Sequence, residues 1–136
     1  MDKHEQGRYA ESIARAYLES QQYRFIEANF NRRVGEIDLI MLTPDSLFSE
    51  RTIVFVEVRY RSRLEYGGAI ASIDWKKQRK LIRASRAWLQ KNAGSKDLAR
   101  IDVIALTQSV NVEVNTSCKW QGHDLTWIQN AVEEAT

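Results

Sequence analysis

Two short stretches, Gly35-Glu36-Ile37-Asp38-Leu39-Ile40 and Val54-Phe55-Val56-Glu57-Val58-Arg59, place three carboxylates in segments that otherwise read as buried β-strands. An ionised carboxylate in an apolar strand is costly unless something cationic satisfies it. Side chains alternate faces along a strand, so Glu36, Asp38, Ile40 and Leu42 are expected on one face, with Ile37, Leu39 and Met41 on the other. Ile53, Phe55, Glu57 and Arg59 likewise share a face opposite Val54, Val56 and Val58. The charged end is the start of the first strand and the finish of the second. In a hairpin both charged ends therefore lie at one edge, away from the connecting loop. That loop, residues 43–51, is centred on Leu47, close to the midpoint between Asp38 and Glu57. A symmetric hairpin makes those two acids cross-strand neighbours, with Cβ atoms ~5 Å apart. Carboxylates so close repel unless one keeps its proton or both grip a divalent cation such as Mg²⁺ or Mn²⁺. Glu36, on the same face as Asp38, either assists such a centre from behind or pairs with an arginine. The competing reading is a polar plug in which Asp38 and Glu57 are salt-bridged to Arg59, Arg61 or Arg33.

The charge distribution adds a partner. Residues 59–96 contain 11 Lys/Arg against 2 Asp/Glu, whereas the rest of the 136-residue chain has 9 against 16. A basic block beside an acidic cluster suggests a polyanion, nucleic acid in particular. Lys76, Lys80, Arg83 and Lys77, widened by Arg79 and Arg86, form a stripe at helical spacing opposite Leu81, Trp88 and Leu89. Contacts from such a stripe fall mainly on phosphates and give affinity without sequence specificity. The bland counterpart is a solvated helix face. Arg61, in the loop leading from the acids to this helix, would extend the basic surface. Of the four tryptophans, Trp88 and Trp127 read as core, while Trp75 and Trp120 are candidates for stacking on bases.

Other chemistries are excluded. Cys118, His4 and His123 have no zinc-type spacing, so a metal here needs oxygen ligands. One cysteine forms no internal disulfide, and residues 1–6 lack the apolar stretch of a signal peptide, so a cytoplasmic location is expected. No apolar run approaches the ~20 residues that span a bilayer. At 43% hydrophobic and 28% charged residues the composition is that of a globular chain.

The elements expected to position these groups form one α/β domain over residues 1–136. A helix over 4–21 has an apolar stripe of Tyr9, Ala10, Ile13, Ala14, Ala16 and Tyr17. A strand over 23–30 and a turn at 31–33 precede the two acidic strands, Gly35–Leu42 and Thr52–Tyr60. A glycine-containing loop, 62–72, leads to a long helix over 74–92, capped by Ser72 or Asp74 and ended by Gly94-Ser95. Strands at 100–106, 110–115 and 125–128 complete a sheet of about five strands, and a short tail helix is expected last.

The two acidic segments, the second read on through Tyr60-Arg61, closely resemble the YraN-like family of small uncharacterised bacterial proteins. The likeness continues through Gly7, Glu11, Ala14, Tyr17, Leu18, Asn29, Tyr66-Gly67, Lys77 and Arg100-Ile101-Asp102-Val103, which is most of the chain. The resemblance implies the restriction-endonuclease-like fold, a central mixed sheet flanked by helices, near the archaeal Holliday-junction resolvases. It places Asp38 at the metal-binding aspartate of the nuclease motif and Glu57 at the acid of the (Asp/Glu)-x-Lys element. The Val58 carbonyl would be a further metal ligand, and Glu11 would match the upstream acid that completes such sites. Arg59 stands where the motif has lysine. Arginine suits phosphate oxygens well, but it stays charged at any working pH and is a poor proton acceptor. The implied activity is metal-dependent hydrolysis of phosphodiester bonds in DNA, branched or damaged structures included, with Asp38, Glu57 and Arg59 as the catalytic set. The alternatives are a nucleic-acid-binding module that no longer cleaves and a purely structural domain. Resolvase-like relatives act as dimers because two cuts need two sites, so a homodimer belongs to the same expectation.

Overall fold

The computed structural model describes residues 2–60, 73–92, 98–108 and 118–133. Asp2 starts the first helix, α1 (Lys3–Ser20), by accepting the Glu5 N–H at 2.8 Å. The chain then turns back through Gln22, whose positive φ of 70° allows Tyr23 N–H to reach Leu18 O at 3.0 Å. Strands β1 (Arg24–Arg32), β2 (Gly35–Leu42) and β3 (Thr52–Tyr60) form an antiparallel meander. The second helix, α2 (Trp75–Asn92), begins after Asp74, which accepts the Lys77 N–H at 2.8 Å. Strands β4 (Leu98–Gln108), β5 (Cys118–Trp120) and β6 (His123–Val132) follow. Together they make a six-stranded mixed sheet in the order β1-β2-β3-β4-β6-β5, whose one parallel pair is β3 with β4. The architecture is that of an α/β nuclease-like fold.

The helices cover opposite faces. Ala10, Ile13, Ala14 and Leu18 of α1 pack on Leu39, Met41, Val54, Val56, Ile104, Leu106 and Leu125. Leu81, Ala84 and Trp88 of α2 pack on Ile37, Ile40, Ile53, Phe55, Ile101 and Val103. Burying both faces explains why β3 is apolar from Ile53 to Val56. Among the described residues, no helix is long and apolar enough to cross a membrane.

Several expectations need correction. The turn after β1 is shorter than 31–33, because Asn31 and Arg32 still pair with Glu36 and Gly35. Strand β4 begins at Leu98, since its ladder matches β3 residue for residue from Thr52↔Leu98 to Tyr60↔Leu106. No tail helix follows β6 up to Glu133. That strand runs to Val132 across a bulge, and Asn130 (φ 52°) in the bulge donates its N–H to the buried Asp102 carboxylate at 2.8 Å. The expected strand at 110–115, the loop at 62–72 and Gly94-Ser95 lie outside the described residues.

One face assignment also changes. Ile37 packs with Ile40 beneath α2, not with Leu39 and Met41 beneath α1. The break in alternation coincides with Asn29, which has φ 55° and lies between Ala28↔Leu39 and Phe30↔Ile37 in the ladder. Asparagine tolerates this left-handed conformation. Ala28 and Phe30 consequently face opposite sides, and β2 shows the matching break at Asp38.

Candidate active site

The β2–β3 ladder runs from Leu42↔Ile53 to Leu39↔Val56, the register expected from the loop's symmetry. One further step in that register brings Asp38 opposite Glu57. There a side chain replaces the backbone ladder: Asp38 Oδ2 accepts the Val58 N–H at 2.8 Å. Asn29, Asp38 and Glu57 thus stand in one row across three strands, at the end of the hairpin away from its loop.

Gly35 sets the height of this row under α2. A Cβ built on it would meet Lys80 O at 2.5 Å, and its φ is +155°. Only glycine lets the start of β2 lie so close to the helix backbone.

Glu57 is 4% exposed. Its Oε1 lies 3.4 Å from Arg59 Nε and 3.6 Å from Lys77 Nζ. Its Oε2 is buried with no hydrogen-bond partner among the described residues. Burial pushes the Glu57 carboxyl up to about 7, and the neighbouring Asp38 adds to the rise against the pull of Lys77 and Arg59. Burial likewise raises Asp38; the Val58 N–H, Lys77 and Arg59 oppose this, while Glu36 reinforces it. Glu11, facing the row from α1, is also raised to about 7, first by burial and then by Asp38, against a hydrogen bond from Asn29. Three carboxyls near one another thus favour a proton or a further positive charge at neutral pH, although two side-chain cations already stand beside them.

A hard divalent cation fits this donor set, which is all oxygen and includes an unpartnered buried carboxylate oxygen. Asp38 and Glu57 are the pair the fold brings together. Glu11 influences them electrostatically, but among the described residues no group of three or more His, Cys, Asp or Glu is gathered as a ready metal cage. Glu36 is exposed and adds negative charge to both Glu11 and Asp38.

The basic residues divide in two. Lys76, Lys80 and Arg83 are exposed on α2, as are Arg79 and Arg86. Lys77 leaves the stripe: its side chain is 25% exposed and turned onto Glu57. Arg61 lies outside the described residues. Sequence reasoning alone misses two features, the inward turn of Lys77 and the role of Asn29 as the partner of Glu11. The signal for Asn29 is an amide between Ala28 and Phe30 in the middle of a partly buried strand.

Fold and site together define a small α/β protein of nuclease-like architecture with an acidic centre at the end of a hairpin. The sequence profile described as Uncharacterised protein family UPF0102 matches residues 10–106. A UPF0102 protein of Aliivibrio salmonicida (strain LFI1238) is 42% identical over 135 residues, covering 98% of this chain and 95% of that protein. A UPF0102 protein of Stutzerimonas stutzeri (strain A1501) is 41% identical over 128 residues, 93% of each chain. The UPF0102 protein YraN of Escherichia coli (strain SMS-3-5 / SECEC) is 43% identical over 126 residues, covering 91% of this chain and 81% of that protein. The chain belongs to the UPF0102 family.

Proposed function

We propose that this protein is a metal-dependent endonuclease that hydrolyses phosphodiester bonds in DNA, with branched or damaged structures as its candidate substrates. The observation that carries this reading is Glu57: a buried carboxylate opposite Asp38, flanked by Lys77 and Arg59, yet with one oxygen unpartnered among the described residues and its proton affinity raised. Asp38 and Glu57 would hold Mg²⁺ or Mn²⁺, with Glu11 as an outlying third carboxylate. When bound, such an ion supplies an acidified water and positive charge against the phosphate. Lys77 and Arg59 favour the ionised forms of both acids, the state that can hold a cation, and present N–H donors to a non-bridging phosphate oxygen. Arg59 cannot take a proton from water, so its part is to bind charge. Lys76, Lys80 and Arg83 would grip flanking phosphates. Cuts in two strands would require a homodimer, and a cytoplasmic setting belongs to the same reading.

A second reading, a nucleic-acid-binding module that does not cleave, is favoured by one observation. Both cations nearest Glu57 already engage one oxygen, Oε1, of the carboxylate that would hold a metal. Incubating labelled branched, flapped and linear DNA with Mg²⁺ or Mn²⁺ separates the two. Cleavage by the wild type, lost in Asp38→Ala and Glu57→Ala, supports the endonuclease; binding without cleavage supports the module. Cleavage persisting undiminished in both variants overturns the proposed chemistry.

A further inference from the structure

Three of the four tryptophans have structural work. Trp88 is buried on the inner side of α2 and donates its indole N–H to Glu27 Oε1 at 3.1 Å. Trp127 donates to Asp102 Oδ2 at 2.9 Å. Trp120 is partly buried and meets the Tyr17 ring edge-on, with centroids 5.3 Å apart. Trp75 differs from all of them. It is the first residue of α2, and 62% of its surface is exposed. A large aromatic at an exposed helix position gives up most of the burial that would stabilise it.

Its surroundings fit a polyanion. The Arg79 guanidinium lies 5.7 Å from the Trp75 ring centroid, and the Lys76 ammonium lies 6.0 Å away. Arg79 and Arg83 follow Trp75 at successive helical turns, so the ring stands at the head of an exposed cationic ridge. Trp75 and Lys77 share the first turn but leave it on different sides, Trp75 toward solvent and Lys77 toward Glu57, so the ridge ends at the turn that meets the carboxylates. A strand whose phosphates follow the ridge toward the carboxylates would pass its bases over this ring.

Resting on the nucleic-acid reading above, we infer that Trp75 is a stacking platform for an unpaired nucleobase, which selects single-stranded or frayed nucleic acid for the site. A base within an intact duplex already has both faces stacked and cannot use the ring. An unpaired base has a free face, and its stacking tolerates any sequence. Trp120, the other tryptophan considered for stacking on bases, is removed from this role by its packing on Tyr17.

Anisotropy titrations with labelled single-stranded, forked and fully duplex DNA, and with RNA counterparts of each, test the inference in full-length wild type, Trp75→Phe, Trp75→Ala and Arg83→Ala. Trp75→Ala is expected to weaken single-strand and fork binding roughly tenfold while leaving duplex binding and the salt slope unchanged, because no charge is lost. Trp75→Phe should keep most of the affinity. Arg83→Ala should weaken every substrate and lower the salt slope by about 1. The DNA and RNA arms show which polymer supplies the base. An unchanged single-strand affinity in Trp75→Ala, or an equal loss on duplex, overturns the inference while leaving the endonuclease reading intact. A wild type that binds none of these nucleic acids overturns both. Binding with the expected Trp75 pattern but without cleavage upholds the inference and overturns only the endonuclease.

Discussion

Replacing Glu57 with glutamine distinguishes a cation site from an ion-paired plug, because the two make opposite predictions about stability. Glutamine has the shape of a protonated glutamate and no charge. Below pH 4.5, where Glu57 is protonated in both the folded and the unfolded chain, wild type and Glu57→Gln should be about equally stable. As pH rises, the unfolded chain releases the proton near 4.5, whereas the folded protein holds it to about 7. The unfolded state then binds fewer protons, so wild-type stability falls relative to the variant across that window and levels off above it. At ~1.4 kcal/mol per tenfold change in proton affinity, the rise from 4.5 to about 7 corresponds to roughly 3 kcal/mol. Glu57→Gln should therefore be the more stable protein at pH 8, by an amount of that order.

A divalent cation should close most of that gap. A ligand held only by the folded state stabilises it by ~2.7 kcal/mol at a hundred times its Kd. Wild type at pH 8 should gain this from Mn²⁺, and Glu57→Gln should gain little. Urea denaturation of both proteins at pH 4, 6 and 8, with and without Mn²⁺, measures all of these differences. If Glu57→Gln is less stable at pH 8 without metal, Lys77 and Arg59 over-compensate the carboxylate. The site is then a structural ion pair, and the argument from an unsatisfied acid fails.

Three other perturbations probe the frame around the site. Lys77→Met removes a charge that holds Asp38 and Glu57 down, so half-maximal Mn²⁺ binding in a pH series should move to higher pH than in wild type; no movement would show that Lys77 does not act on the acids. Gly35→Ala forces a Cβ to within 2.5 Å of Lys80 O and should cost ~2 kcal/mol or more in denaturant unfolding; a neutral result would mean that α2 can back away freely. Asp102→Ala takes the acceptor from the Trp127 indole N–H and the Asn130 N–H and removes the ion-pair partner of Arg100, which keeps its bond to the Tyr23 hydroxyl, and should cost ~3–5 kcal/mol, read by the same method.

The hairpin and its register are legible in the sequence because both signals are local. Alternation places Glu57 on the Phe55 face, and the spacing of Asp38 and Glu57 about the 43–51 loop is enough to pair them. The strand ends at Arg32, Leu98 and Val132 depend on what neighbouring strands offer, which no local window contains. Strict alternation puts Ile37 on the wrong face because it cannot anticipate a left-handed Asn29. Lys77 joins the basic stripe by residue type, although its helical angle differs from that of the exposed Lys76, Lys80 and Arg83. On α2, residue 77 shares the inner face with Leu81, Ala84 and Trp88, and at this first turn that face meets the Glu57 carboxylate.

Asp102 supplies an internal control for the reading of Glu57. The two acids occupy adjacent parallel strands, with Val56 opposite Asp102 and Glu57 opposite Val103. Both are buried, Asp102 completely. Around Asp102 the fold supplies Arg100 Nε at 3.0 Å, Trp127 Nε1 at 2.9 Å and Asn130 N at 2.8 Å, and β6 bulges to deliver the last of these. The same sheet can therefore satisfy a buried carboxylate with short, directed hydrogen bonds. Around Glu57 it supplies two looser contacts to Oε1, and among the described residues none to Oε2. It also sets a second acid, Asp38, opposite in the strand register. A polar plug selected for stability should look like Asp102. That Glu57 does not is the physical argument that supports the proposal of a cation there.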